Sequence, residues 1–89
     1  MKTLFRESFW RDVRKIKDQK IIARIDEVIA EVEAAARFSE IGNVKKMVGA
    51  ANAYRIRVGG FRIGVFAEED AVEFVRCLDR KDMYRYFPP

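Results

Sequence analysis

Apolar positions recur at helical spacing along the first half of the chain and alternate along the second. Phe9, Val13 and Ile16 follow Ser8 at intervals of three and four, which predicts a first helix with Ser8 as N-cap and Asp12 in its early turns. After a break at residues 17–20, Ile21, Ile25, Val28, Val32 and Ala35 form one stripe, widened by Ile22 and Ile29. Lys20, Arg24, Glu27 and Glu31 take the opposite face, where their spacing allows weak ion pairs and keeps that side wet. The two helices read as an αα-hairpin, preceded at Thr3 and Phe5 by room for a short strand.

Gly42-Asn43 closes the helical half, and from Tyr54 the period is two. Tyr54–Val58 alternates, Gly59-Gly60 is a two-residue loop of the kind that tolerates positive φ, and Phe61–Phe66 alternates again. That loop sets Val58 opposite Phe61, Arg57 opposite Arg62, Ile56 opposite Ile63 and Arg55 opposite Gly64. The pleat then sends Tyr54, Ile56, Val58, Phe61, Ile63 and Val65 to the face the helices cover, and Arg55, Arg57, Arg62 and Gly64 to the other. Glu68-Glu69-Asp70 makes the next turn, and Val72–Leu78 is dense in β-formers. A four-residue turn there puts Val72, Phe74 and Leu78 with the core and Glu73, Val75, Cys77 and Asp79 with the arginines. A three-residue turn reverses this, and the hydrophobic count favours the first. Residues 79–89 are basic and aromatic up to Pro88-Pro89 and receive no element. The expected class is α+β, a helical hairpin on a mostly antiparallel sheet of three to five strands.

Composition narrows the chemistry. Eighty-nine residues, 49% apolar and 36% charged, suit one globular domain over residues 1–89. The chain has no histidine and one cysteine, which excludes His-based triads, Cys/His zinc sites and an internal disulfide. No window approaches the roughly 18 apolar residues of a membrane span, so the expectation is a soluble cytoplasmic protein. The net charge of +4 is unevenly placed: residues 42–66 hold Lys45, Lys46, Arg55, Arg57 and Arg62 and no acid. Arginines set opposite each other disfavour the empty fold by up to about 1 kcal/mol and suit an anionic ligand such as a phosphate backbone. Gly64 beside Arg55 leaves space for a ligand backbone. The alternative is that Glu73 or Asp79 neutralises the arginines as a structural network.

The segment Tyr54-Arg55-Ile56-Arg57-Val58-Gly59-Gly60-Phe61-Arg62-Ile63-Gly64-Val65, followed by Phe74–Leu78 and Asp79-Arg80-Lys81-Asp82-Met83-Tyr84-Arg85-Tyr86-Phe87-Pro88, resembles the RelE/ParE superfamily of bacterial toxins, most closely its RelE-like members. The likeness spans the chain, but the hairpin and tail are its specific parts. It implies the toxin of a type II toxin–antitoxin pair that cuts mRNA in the ribosomal A site, without cofactor or metal. Its implied partners are a small antitoxin, the ribosome and mRNA, with oligomers formed only through the antitoxin. ParE members inhibit DNA gyrase on the same fold, which is the rival reading beside a degenerate toxin that only binds its antitoxin.

By the same resemblance Arg55 and Arg57 face the mRNA backbone; Lys45 and Lys46, which also suit a solvated surface, are candidate RNA contacts by their place in the acid-free segment, and Arg85 is a further candidate. Arg62 falls on the catalytic arginine that stabilises the phosphorane. Arg80 or Lys81 matches the functional C-terminal cation, and Tyr84 or Tyr86 the aromatic that orients the nucleotide. Many relatives read Leu-His-Arg-Lys-Asp where this chain has Leu78-Asp79-Arg80-Lys81-Asp82. With a pKa above about 12, arginine is a poor base, so proton transfer falls to Asp79, Lys81, Tyr84 or Tyr86. Against these readings, Tyr84, Tyr86 and Phe87 also suit packing on the sheet, Trp10 suits the core or an antitoxin contact, and Cys77 reads as an inert apolar residue.

Overall fold

The structure is a computed structural model describing residues 1–89. It contains β1 (Lys2–Phe5), α1 (Glu7–Arg14), α2 (Gln19–Ala34), a 3-10 turn (Phe38–Glu40), β2 (Val44–Lys46), β3 (Ala53–Val58), β4 (Phe61–Ala67), β5 (Ala71–Asp79) and α3 (Arg80–Tyr86). The five strands lie in the order β1-β5-β4-β3-β2, with β1 parallel to β5 and every other neighbour antiparallel. One face carries α1 and α2 over a core of Phe9, Ile25, Val28, Val32, Ile56, Val58, Ile63, Val65, Val72 and Phe74. The short opening strand is secured by aromatics: the Phe5 ring lies 4.9 Å from Phe74 and 5.1 Å from Trp10.

The hairpin register matches expectation pair for pair, from Val58 opposite Phe61 to Arg55 opposite Gly64. Gly59 has φ +58, the left-handed conformation that this two-residue loop needs and glycine adopts without strain, and a Cβ there would push aside the Ile21 Cδ1 methyl at 2.7 Å. The helix starts were less legible. Ser8 is not an N-cap, because Arg6 N–H still donates to Phe74 O at 2.9 Å and the chain passes from strand into helix at Glu7. The Ser8 hydroxyl instead donates to Val75 O at 2.6 Å. For α2 the cap is Asp18, which accepts from Lys20 N–H at 2.9 Å.

Neither simple phase of the third hairpin strand is correct. Val72 and Phe74 face the helices as favoured, but a bulge interrupts the β4–β5 ladder between Gly64 and Val65. Val75 has no opposite number, Arg76 pairs with Gly64, and the phase inverts beyond it. Val75 lies on the face away from the helices as favoured, whereas Cys77 joins the helix-side core and Leu78 turns to the opposite face. The cause sits 64 residues away: buried Asp12 accepts from Arg76 Nε at 2.7 Å, Arg76 Nη2 at 3.2 Å and Cys77 N–H at 3.0 Å. Asp12 is thus a clamp on the bulge and not a partner of the α1 dipole.

The tail folds back as α3, with Asp79 as N-cap accepting from Asp82 N–H at 3.0 Å. It closes a second core on the sheet face away from α1 and α2, formed by Met47, Ala53, Val75, Met83 and Phe87. Gly64 belongs to this packing: a Cβ there would lie 2.8 Å from the Phe87 ring, so the missing side chain makes room for Phe87 and not for a ligand. Gly64→Ala is expected to lower the unfolding free energy by about 1–3 kcal/mol, and to cost little in a Phe87→Ala background. Urea unfolding of the two singles and the double variant measures this.

Candidate nucleic-acid interface

The hairpin, β2 and the start of α3 together frame a shallow concavity of about 450 Å³ lined by Asn43, Lys45, Arg55, Arg57, Arg62 and Arg80. The β-pairing assembles it: Arg57 lies opposite Arg62 on β3 and β4, and Lys45 opposite Arg55 on β2 and β3. Arg80 is held at the hairpin tip by its N–H donating to Gly60 O at 3.1 Å. Arg62 is the deepest member, with 8% of its surface exposed. Its Nη1 donates to Gly59 O and Phe61 O, each at 2.9 Å, while its Nε is buried without a partner. Burial first, then the charges of Arg55, Arg57 and Arg80, hold this guanidinium below its ordinary pKa.

No carboxylate relieves that repulsion. The four ion pairs of the protein are Arg6–Glu73, Arg14–Glu7, Arg24–Glu27 and Arg76–Asp12, and none reaches the cleft. Glu73 is taken up by Arg6 at 3.0 Å and Asp79 by the α3 cap, so the neutralising network is not formed. Preorganised cations without counter-ions suit a ligand that brings its own negative charge.

The tail residues separate. Tyr84, exposed at 58%, lies against the cleft with Arg55 Cζ 5.4 Å from its ring centroid. Tyr86 lines a different hollow with Asp12, Arg76, Asp79 and Asp82, and Arg85 stacks beside it at 5.9 Å. Lys81 is exposed on the first turn of α3, outside the residues that line the cleft. Lys46 Nζ donates to Ala51 O at 2.8 Å and lies 5.9 Å from the Tyr54 ring, which ties it to the β2–β3 loop. Phe87 is core, at 2% exposure, and Trp10 packs with Phe5 and Phe9. No group of three or more carboxylate or thiol side chains is gathered to hold a metal ion. The Asp12 clamp escaped sequence reasoning, since its only local signal was an acid amid the apolar stripe of α1.

Cys77 is 2% exposed, and burial, followed by the charge of Asp12, pushes its thiol up to about 12 from 9.0. The un-ionised thiol is favoured in the fold, so this contribution is complete below pH 9 and is lost as pH rises toward 12. A thiol reagent at pH 8 is expected to label the folded chain only at the rate of opening, and unfolding free energy should fall above pH 9 less steeply in Cys77→Ala.

A helical hairpin on one side of a mixed five-stranded sheet, with an acid-free basic cleft beside a C-terminal helix on the other, defines the RelE-like toxin fold. No protein-family model matches the chain. It is 38% identical over 89 residues to the toxin RelE3 of Methanocaldococcus jannaschii, covering 99% of this chain and 100% of that one. The toxin in the RelB–RelE antitoxin–toxin complex from Methanococcus jannaschii superposes with a TM-score of 0.78 at 36% identity, over 96% of this chain and 99% of that one. The YoeB/ParE toxin from Agrobacterium tumefaciens shares the fold at a TM-score of 0.67 and 20% identity, over 90% and 99% of the two chains. The chain belongs to the RelE family of toxins. No helix is long and apolar enough to cross a membrane.

Proposed function

We propose that this protein is the toxin of a toxin–antitoxin pair and an endonuclease that cuts messenger RNA on the ribosome. The observation that carries the reading is the unneutralised cluster of Arg55, Arg57, Arg62, Arg80 and Lys45. In metal-independent cleavage the ribose 2′-oxygen loses its proton and attacks the adjacent phosphorus. The bond to the 5′-oxygen breaks, and that oxygen takes up a proton. Charge builds on the non-bridging oxygens in between, and Arg62, whose guanidinium lines the floor of the cleft, is the cation placed to offset it. Arg55, Arg57 and Lys45 hold the flanking backbone, Arg80 adds charge at the hairpin tip, and Tyr84 orients a base.

Proton transfer rests on fewer groups than the residue types suggest. The carboxylate of Asp79 is engaged at the α3 cap, Tyr86 lies in another hollow and Lys81 stands outside the cleft, which leaves Tyr84. The partner is a small antitoxin, as in the RelB–RelE complex that this chain resembles, presenting acidic side chains to the basic cleft.

Primer extension on a message in a purified translation reaction tests this. The native chain is expected to cut within A-site codons, and Arg62→Ala to lose those cuts. Asp79→His is expected to cut faster, with a rate maximum near the imidazole pKa of about 6.5, at the loss of about 1 kcal/mol of helix capping. An intact message at doses that arrest growth would move the assignment to gyrase inhibition. An intact message with normal growth would make this a toxin reduced to binding its antitoxin.

A further inference from the structure

The basic cleft does not end at Arg55. A second concavity of about 300 Å³ adjoins it, sharing Lys45 and Arg55 and continuing past Lys46 over Met47, Val48, Tyr84 and Phe87. Its character changes from cationic to largely apolar across those two shared residues. Val48 stands out within it: 93% exposed, it is the most exposed of the large apolar side chains. Nothing in the folding of this chain accounts for that exposure, because Val48 joins neither core.

The loop that presents Val48 is braced. Met47 N–H donates to Ala53 O at 2.8 Å, and Lys46 Nζ donates to Ala51 O at 2.8 Å across the loop. Gly49, at φ +111, brings the loop against Pro88, whose Cγ lies 3.4 Å from the place a Cβ would take. The loop therefore meets the tail at Pro88, beside the Tyr84 and Phe87 that share the concavity with Val48.

A nucleotide matches this change of character. Its phosphate is an anion, its base is a flat apolar plate, and the ribose separates the two by about the span of a cleft residue. With phosphates held by Arg55, Arg57 and Lys45, the base of a neighbouring nucleotide is directed toward the apolar end. We propose that this end is a nucleobase subsite with Tyr84 and Val48 as its opposing walls, and that Val48 sets which base is preferred at one position of the codon. The inference rests on the endonuclease reading above and adds a specificity-determining residue to it.

Base stacking on aromatic walls is sequence-tolerant, so Tyr84 alone supplies affinity rather than choice. A branched aliphatic wall facing it limits the width and edge of the base that fits. Because Val48 is almost wholly exposed, replacing it cannot open a cavity, and its variants remain folded.

The test is cleavage of messages presenting every codon in the A site, read by primer extension, for the native chain, Val48→Ser and Tyr84→Ala. The native chain is expected to prefer particular bases at one codon position. Val48→Ser should flatten that preference about three- to tenfold at that position only, with an unchanged melting temperature. Tyr84→Ala should lower cleavage at all codons by about ten- to a hundredfold. A Val48→Ser profile that is unchanged, or lowered equally at every codon, overturns the subsite. So does weakened antitoxin binding with an unaltered codon profile, which would make Val48 a protein contact. A native chain that cuts no message defeats the endonuclease reading first, and this one with it.

Discussion

Replacing Arg62 by methionine is expected to lower message cleavage by about 10²- to 10³-fold while leaving the protein close to its starting stability. The two halves of that result have one cause. Arg62 is buried to 8% exposure between like charges, directly opposite Arg57 and with Arg55 and Arg80 close enough to depress its pKa. Such an arrangement opposes folding, and relieving a cross-strand repulsion returns a few tenths to about 1 kcal/mol, set against the two Nη1 hydrogen bonds to Gly59 O and Phe61 O that the variant gives up. In a domain of this size about 1 kcal/mol corresponds to up to about 8 °C in melting temperature. Methionine retains most of the packed volume, so no cavity weighs on that balance. Primer extension and a thermal melt on the same sample decide the matter. A loss of cleavage accompanied by a fall in melting temperature larger than about 8 °C would make Arg62 a structural residue, and unimpaired cleavage would remove it from the mechanism.

The second large effect is expected at Asp12 on α1, outside the cleft. Asp12→Ala should cost about 3 kcal/mol, toward the lower end for a broken buried ion pair because Arg76 stays a quarter exposed and can reach water. The hydrogen bond with Asp12 holds the Arg76 guanidinium above its ordinary pKa, so that partner stays charged throughout the accessible range. The variant also removes the acceptor of the Cys77 N–H. Amide exchange should therefore show Cys77 losing protection ahead of Ile63, its partner on β4. The double variant Asp12→Ala, Arg76→Met should recover part of the loss, since no unpaired cation is left. A cost below about 0.5 kcal/mol for the single change would mean that the bulge is held by the strands alone. Because Leu78 reaches the second core only through that bulge, part of the packing on the α3 side of the molecule is coupled to a carboxylate in α1.

Much of this molecule follows from short-range rules. The helical stripes of α1 and α2 and the pleat of the β3–β4 hairpin depend on periodicities of 3.6 and 2 that any segment carries within itself. Gly59-Gly60 then pins the register, because a two-residue loop admits one pairing. That register alone puts Arg55, Arg57 and Arg62 on one face, so the heart of the candidate site is a local property of residues 54–65.

Four other features needed partners far away in the chain. The phase of β5 beyond Val75 depends on Asp12, and Gly64 acquires its meaning from Phe87. Tyr84 and Tyr86, two residues apart, are divided between cleft and neighbouring hollow by the rotation of α3, which Met83 and Phe87 dock against Met47, Ala53 and Val75. The freedom of the arginines from any carboxylate is settled by Arg6 and α3, which occupy Glu73 and Asp79. The physical reason is common to all four. Hydrogen-bond geometry within a helix or hairpin is set by neighbours in sequence, whereas burial, charge compensation and the facing of a side chain are set by whatever the folded chain brings alongside.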